Sequence, residues 1–266
     1  MTSPILSTAS EGRNDDSGPT GAAYTRFIIL ASERSGSSFL VQSLRSHPDI
    51  RSFGEIFNPR WIGFNTPGFD NDDQDLIRYR NRRPVEFLET RVFGPHDQTT
   101  VAVGFKLFYS HLERRRIRPL GRHLAGTPDL KVVHLRRGNL LRQYLSRVIA
   151  SRTGQWGVRS PEDRQLPQVD LSARRCRRYF EKTRRLQEAH GQSFERCDVL
   201  SVAYEELDSQ YEHQMERVQR FLGVEALALR ARSVKHEVRP LAEAIRNYDA
   251  LRAAFAGTPW AEHFDE

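Results

Sequence analysis

The sequence predicts an α/β fold: a single-domain, P-loop-like three-layer arrangement with a mainly parallel central sheet flanked by helices. Three observations carry this prediction. Short apolar runs alternate with helical patterns along residues 25–266, the order of a parallel sheet joined by helical crossovers. The first run, residues 27–31, empties into a loop of glycine and small hydroxyl residues that opens directly into a helix. A length of 266 residues with no internal repeat suits one well-buried domain better than two.

The elements follow in order. Residues 27–31 read as a buried strand, and Phe39, Leu40 and Leu44 mark the helix after its loop. Residues 50–53 form a short second strand ending at Gly54 and Glu55. Residues 57–83 hold Pro59, Gly63, Pro67 and Gly68 among scattered aromatics, and read as a long irregular segment with a short helix at its end. Pro84 opens a helix through Phe93. Residues 101–109 are a third strand with Lys106 embedded in it, followed by a helix over 111–124. Residues 131–135 are the fourth strand, and Arg136, Arg137 and Gly138 mark its exit.

An amphipathic helix comes next. Leu140, Leu141, Tyr144, Leu145, Val148 and Ile149 share one apolar face, while Asn139, Arg142, Gln143 and Ser146 make a polar stripe on the other. Residues 152–170 are irregular again, and 171–190 form a strongly basic helix. A fifth strand spans 197–203, helices cover 205–222, and a last helix runs over 241–255 after a stretch holding Lys235, His236 and Arg239. In a parallel sheet, ligands gather beyond the carboxyl ends of the strands. Arg34, Glu55, Lys106 and Arg136 each lie near such an end or approach it.

Charge and cysteine content narrow the function. The net charge is +7, from 41 Lys and Arg against 34 Asp and Glu. Acidic residues concentrate at the ends (Glu11, Asp15, Asp16; Glu262, Asp265, Glu266), so the body is more basic than the total and favours an anionic ligand. No zinc-finger spacing, RNP aromatic signature or helix-turn-helix pattern accompanies the charge, so no nucleic-acid partner beyond a nucleotide is expected. Cys176 and Cys197 give no disulfide framework and no metal-ligand spacing. Residues 1–24 read as a disordered leader without the basic and apolar regions of a signal peptide. With no apolar run of the roughly 20 residues a membrane span requires, a cytoplasmic protein is expected.

The first loop reads Glu33, Arg34, Ser35, Gly36, Ser37, Ser38, Phe39. Its spacing is close to the nucleotide phosphate loop, with two departures: Ala31 stands where the first glycine belongs and Ser37 where the lysine belongs. The cation is Arg34, inside the loop, so the loop suits a phosphate held without the apparatus of a magnesium-dependent triphosphatase. A plain strand-to-helix turn would also use serine and glycine.

Arg136 and Arg137, with Ser146 on the following helix, form a second set of anion ligands. Two cations at a helix N-terminus oppose the macrodipole, and a bound anion would relieve that conflict. Glu55, flanked by Phe53, Ile56 and Phe57, has the setting of a desolvated carboxylate with a raised pKa, suited to a general base. Lys106 belongs either to a site at the strand's end or to an edge facing water, since lysine is rarely buried unpartnered. His134 reads as a satisfied core histidine, and Tyr204 with Glu205 as ordinary helix-start chemistry.

Three segments together resemble the PAPS-dependent sulfotransferases, most closely the bacterial branch with trehalose, Nod-factor and other glycan sulfotransferases. They are the Arg34-Ser-Gly-Ser-Ser-Phe-Leu loop after a hydrophobic strand, the Arg136-Arg137-Gly-Asn-Leu-Leu-Arg-Gln-Tyr-Leu-Ser146 run about 100 residues later, and Ser-Val-Ala-Tyr204-Glu-Glu-Leu. Lys235 to Tyr248 also resembles the C-terminal segment of such enzymes.

The resemblance implies a 5′-phosphosulfate loop of Arg34, Ser35, Gly36, Ser37, Ser38 and Phe39, and a 3′-phosphate site from Arg136 or Arg137 with Ser146. It places Tyr204 and Lys235 with the donor as well. Glu55 becomes the base for the acceptor hydroxyl, with His47 and His111 as rivals, and Lys106 the contact to the sulfuryl group or acceptor. The donor implied is 3′-phosphoadenylyl sulfate (PAPS), leaving as PAP, in a reaction that needs no metal. The acceptor implied is a carbohydrate or glycolipid hydroxyl, with a phenol or natural product as the alternative. Trp61, Phe64, Phe69 and Trp156, in the two irregular segments, would stack on either. A P-loop kinase would require a lysine at position 37 and a magnesium-holding aspartate at a strand end. A non-catalytic nucleotide-binding module would keep the basic sites without needing Glu55.

Overall fold

The computed structural model describes residues 24–265 apart from 65, 67, 158–161, 164 and 231–238. The expected leader over 1–24 lies outside these residues except for Tyr24, whose hydroxyl donates to the Gly94 carbonyl (3.0 Å) and so belongs to the domain.

Five strands, β1 (Thr25–Ala31), β2 (Ile50–Phe53), β3 (Ala102–Phe108), β4 (Lys131–Arg136) and β5 (Asp198–Ala203), make one sheet in the order β2-β3-β1-β4-β5. All pairings are parallel. The chain lays down β1 first, builds β2 and β3 on one side of it, then crosses to build β4 and β5 on the other. That reversal opens a crevice beyond the carboxyl end of β1, where such sheets bind ligands.

Eleven helices are described: α1 (Ser37–Arg45), α2 (Gln74–Arg82), α3 (Pro84–Phe87), α4 (Tyr109–Leu112), α5 (Arg118–Ala125), α6 (Leu140–Thr153), α7 (Ala173–Ser193), α8 (Tyr204–Ser209), α9 (Tyr211–Leu222), α10 (Leu241–Ala244) and α11 (Tyr248–Phe255). Strand alternation sends Ile28, Leu30, Val103 and Phe105 to one face, where they pack with Phe87, Leu120 and Leu186. Phe27, Ile29, Val133 and Leu135 face the other way, against Leu40, Leu44, Val218 and Leu222. A third core joins α6, α7 and α11 through Leu141, Phe180 and Phe255. None of the described helices is long and apolar enough to cross a membrane.

The predicted elements differ mainly where long helices break. The segment expected as one helix over 111–124 is α4 and α5, with Pro119 starting the second. The segment over 241–255 is α10 and α11. Ile245 between them is extended (φ −110°, ψ 113°) and bridges Val169, and the Asn247 amide bonds both backbone groups of Leu171. That tie pulls the chain out of helical geometry. The helix predicted after Pro84 becomes a π turn over Leu88–Val92.

Gly104 lies at the centre of β3, opposite Phe27. A Cβ there would sit 2.4 Å from both the Phe27 carbonyl oxygen and its ring. Gly104→Ala is therefore expected to lower stability by about 1–3 kcal/mol, measured as a fall in the urea midpoint. An unchanged midpoint would show that β1 and β3 are not pressed together there.

Candidate active site

Arg34 (φ 64°) and Gly36 (φ 86°) both adopt the left-handed region in the turn between β1 and α1. Alternation of this kind turns successive backbone N–H groups to one side and makes an anion-binding concavity. The Ser35 hydroxyl donates to the Ser32 carbonyl (2.8 Å) and locks the turn. Gly36 caps α1 without a side chain, so the orphan N–H groups of the first turn and the positive end of the dipole are left to the loop. A Cβ on Gly36 would also meet the Tyr204 ring at 2.4 Å. Of the other loop residues, Ser37 is buried, and Phe39 turns its ring toward Tyr211 of α9 (5.2 Å).

Lys106 is neither at a strand tip nor on an edge. It lies in β3, an interior strand, beside Ile29 of β1, with 5 % of its surface exposed. Its ammonium meets Glu55 Oε1 at 3.1 Å and donates to Ser38 Oγ at 3.0 Å. It thus supplies, from a neighbouring strand, a cation next to the position where the loop lacks its lysine.

Glu55 follows β2, in a turn closed by Gly54 N–H to Gly63 O (2.7 Å) and Gly63 N–H to Glu55 O (3.2 Å). The fully buried Arg80 guanidinium holds this turn from inside, donating to the carbonyls of Ile56 (2.7 Å) and Trp61 (3.0 Å). The raised pKa expected for Glu55 is not found. Burial does push the carboxyl up, but the attraction of Lys106 and a hydrogen bond from Asn58 Nδ2 (2.7 Å) outweigh it, and the value lies below the ordinary one. Burial in turn lowers Lys106, against the pull of Glu55.

The second anion set meets the first through Arg34. Its Nε donates to Ser146 Oγ (2.9 Å) and its Nη1 to the Trp156 carbonyl (2.6 Å), so the side chain turns toward α6. Arg137 donates to the Arg34 carbonyl (3.2 Å), and its guanidinium stacks over the Tyr204 ring (4.4 Å). Arg136 is exposed at the end of β4, and its charge acts on Tyr109 and His134. Of the two arginines, Arg137 is the one brought to the loop.

The conflict expected between the two arginines and the α6 macrodipole is already met within the protein. The N–H groups of Gly138 and Asn139, ahead of α6, already hold an anion: the Glu205 carboxylate, at 3.1–3.2 Å. Glu205, read as helix-start chemistry for its own helix, serves α6 instead.

Two further residues complete the site. The buried Gln143 amide donates to Ser32 Oγ (2.6 Å) and the Glu33 carbonyl (2.7 Å), tying α6 to the loop. Its place in the polar stripe was the signal available in the sequence. Arg239 accepts Arg142 at its carbonyl (3.3 Å), and its Nε and Nη2, like Arg137 Nε, are buried donors with no acceptor among the described residues. Lys235 lies outside the described residues.

His111, buried near Glu55 with its pKa pushed down to about 4 mainly by burial, accepts the Phe108 N–H at Nδ1 (3.4 Å). His47 is held by the Glu225 carbonyl (2.9 Å) and the Asp49 N–H (3.1 Å) at the far end of α1. His134 bonds the Tyr109 hydroxyl (2.7 Å), the satisfied core histidine expected. Phe64 and Phe69 are not available for stacking on a ligand, because they pack on each other (4.7 Å) and into the core. Trp156 is exposed, and Trp61 is partly so.

Comparison with known proteins adds independent findings. Residues 26–228 match the model of the Sulfotransferase family. Nodulation protein H of Rhizobium tropici is 32 % identical over 241 residues, covering 90 % of this chain and 92 % of that protein. Nodulation protein H of Rhizobium meliloti strain 1021 is 30 % identical, with 90 % and 94 % covered. The crystal structure of a sulfotransferase from Alicyclobacillus acidocaldarius overlays with a TM-score of 0.49 at 17 % identity, over 92 % of this chain and 95 % of that one.

The Glu55–Lys106 pair gives a signed test. In Lys106→Met the burial remains while the opposing charge goes, so the Glu55 carboxyl is expected to titrate above the ordinary value of about 4.3. In the wild type, Lys106 and Asn58 outweigh burial and hold the carboxyl below its ordinary value. Carbon-detected NMR of the carboxyl follows both, and an unmoved titration would show that Lys106 does not hold Glu55 ionised.

Proposed function

This chain belongs to the sulfotransferase family, and we propose that it transfers a sulfuryl group from PAPS to a hydroxyl of a carbohydrate or glycolipid, giving PAP and a sulfate ester. One observation carries the assignment of roles: a single buried ammonium, Lys106, bonded at once to Ser38 of the anion loop and to the Glu55 carboxylate. It joins an anion site and a proton acceptor in one place.

The residues present fit an anionic donor. The loop of Arg34, Ser35, Gly36, Ser37, Ser38 and Phe39 offers backbone donors at a helix N-terminus for the 5′-phosphosulfate. Arg137 and Ser146, both in contact with Arg34 of the loop, suit the 3′-phosphate. Three buried guanidinium nitrogens, on Arg137 and Arg239, have no acceptor among the described residues, and an anion would satisfy such donors. Tyr204 supports this site by carrying Arg137 on its ring and walling Gly36. Arg136 faces elsewhere.

Glu55 takes the proton as the acceptor oxygen forms its bond to sulfur and the bond from sulfur to the departing phosphate breaks. Arg34 and Lys106 offset the negative charge that collects on that phosphate. Glu55 is held ionised in the resting site. An anion that draws Lys106 toward the loop leaves burial in control of the carboxyl and raises its basicity when a base is needed. The carbohydrate class rests on the likeness of the loop and arginine motifs to glycan sulfotransferases.

Glu55→Gln is expected to lower kcat by about 10²–10⁴-fold while PAP still binds, measured by radiolabelled sulfate transfer and by calorimetry. Undiminished transfer in this variant would reject Glu55 as the base. Arg137→Ala is expected to weaken PAP at least about tenfold, the loss of a charge-assisted contact. Failure of the wild type to bind PAP would overturn the sulfotransferase reading itself.

A further inference from the structure

The sequence marks the α7 segment as strongly basic, and the proposed reaction makes no use of that charge. The structure fixes how the charge is displayed. Cys176, Phe180, Thr183 and Leu186 are buried against the domain, which sets the rotation of the helix. Arg177 and Arg184 lie over the rings of Phe255 and Trp260 (5.7 and 4.1 Å) and are taken up in that packing. Arg174, Arg175, Arg178, Lys182 and Arg185 remain, all exposed. At 3.6 residues per turn they fall within an arc of about 100°. Glu181 and Glu188, the acidic residues of the helix, fall outside that arc.

This arrangement works against the helix that carries it. Arg174, Arg178 and Lys182 are spaced i, i+4, i+8, and Arg185 follows three residues later, so like charges are neighbours along the whole stripe. The first turn has no acidic residue, and Arg174 and Arg175 sit there against the positive end of the dipole. None of the five forms an ion pair with another described residue. An external anionic partner relieves both conflicts.

We propose that this stripe is a docking surface for an anionic lipid bilayer. The five cations share one arc of the exposed helix surface, which suits a plane of lipid phosphates. A nucleic-acid strand is a poorer match, because strand binding uses a charged groove with aromatic platforms, and the arc holds no aromatic side chain. The upper end of the stripe lies near the active site: Arg175 acts on Tyr144, which packs on Tyr179 (4.8 Å), and Tyr179 feels the charges of Glu33 and Arg137. Docking through α7 thus brings the site's edge to the lipid surface, whichever hydroxyl is the acceptor.

The test is co-sedimentation of the full chain with phosphatidylcholine vesicles and with vesicles that also contain phosphatidylglycerol, at low and high salt. Binding is expected to the anionic vesicles alone, to be lost in high salt, and to weaken on the order of a hundredfold in R174Q/R178Q/K182Q/R185Q. The variant R82Q/R91Q/R118Q/R252Q removes the same charge from exposed arginines elsewhere and is expected to bind within a few-fold of wild type. Glutamine keeps helix propensity. If circular dichroism shows that the quadruple variant is unfolded, the reversal R178E/K182E gives the same reading. Absence of binding to anionic vesicles overturns the proposal. So does equal binding to neutral vesicles, an equal loss in the control variant, or tighter binding of duplex DNA through the same four residues.

Discussion

The rest of the site depends on a buried ammonium. Lys106 sits inside the sheet, where an unpaired charge would cost several kcal/mol, and two groups make its place tolerable: the Glu55 carboxylate and the Ser38 hydroxyl. Those partners come from different parts of the chain, one after β2 and one in the first turn of α1. Keeping the ammonium satisfied therefore fixes the distance between the end of β2 and the loop after β1. Arg80, donating into the turn that carries Glu55, holds the same geometry from the opposite side.

The helix α6 does for the other flank of the loop what Lys106 does for the first. Gln143 grips Ser32 and the Glu33 carbonyl, Ser146 receives Arg34, and Arg137 just ahead of the helix reaches the Arg34 carbonyl. A left-handed, non-glycine Arg34 is costly by itself, and these contacts hold it there. Glu205 meets the N-terminus of α6, and Arg137 and Arg239 keep buried donors without an acceptor among the described residues.

Sequence and structure part ways for identifiable reasons. The parallel order, the loop and the polar stripe of α6 were all legible, because each is a local pattern with a fixed period or a fixed set of small residues. Helix breaks at Pro119 and Ile245 were not, since the second depends on a bridge to Val169 from a distant segment. Phe64 and Phe69 look like loop aromatics in a Pro- and Gly-rich stretch, yet Phe64 is a core residue and Phe69 packs against it, because the segment folds over β2. Glu55 shows the same limit in electrostatics: its apolar neighbours in sequence predict a raised pKa, while a lysine 51 positions later reverses the sign.

The amino-acid sequence by itself determined the fold class, the small-residue turn of the first loop with its arginine, and the two basic regions that follow. Those properties come from hydrophobic periodicity and from residue types within a few positions of each other. Tertiary structure alone decided which charges meet: Lys106 with Glu55 and Ser38, Arg137 rather than Arg136 with the loop, Glu205 with α6, and the five cations of the α7 stripe with no ion-pair partner among the described residues. Coulomb interactions and hydrogen bonds fall off over a few ångströms of space. The residues that settle the chemistry here come within that range only after the sheet has assembled.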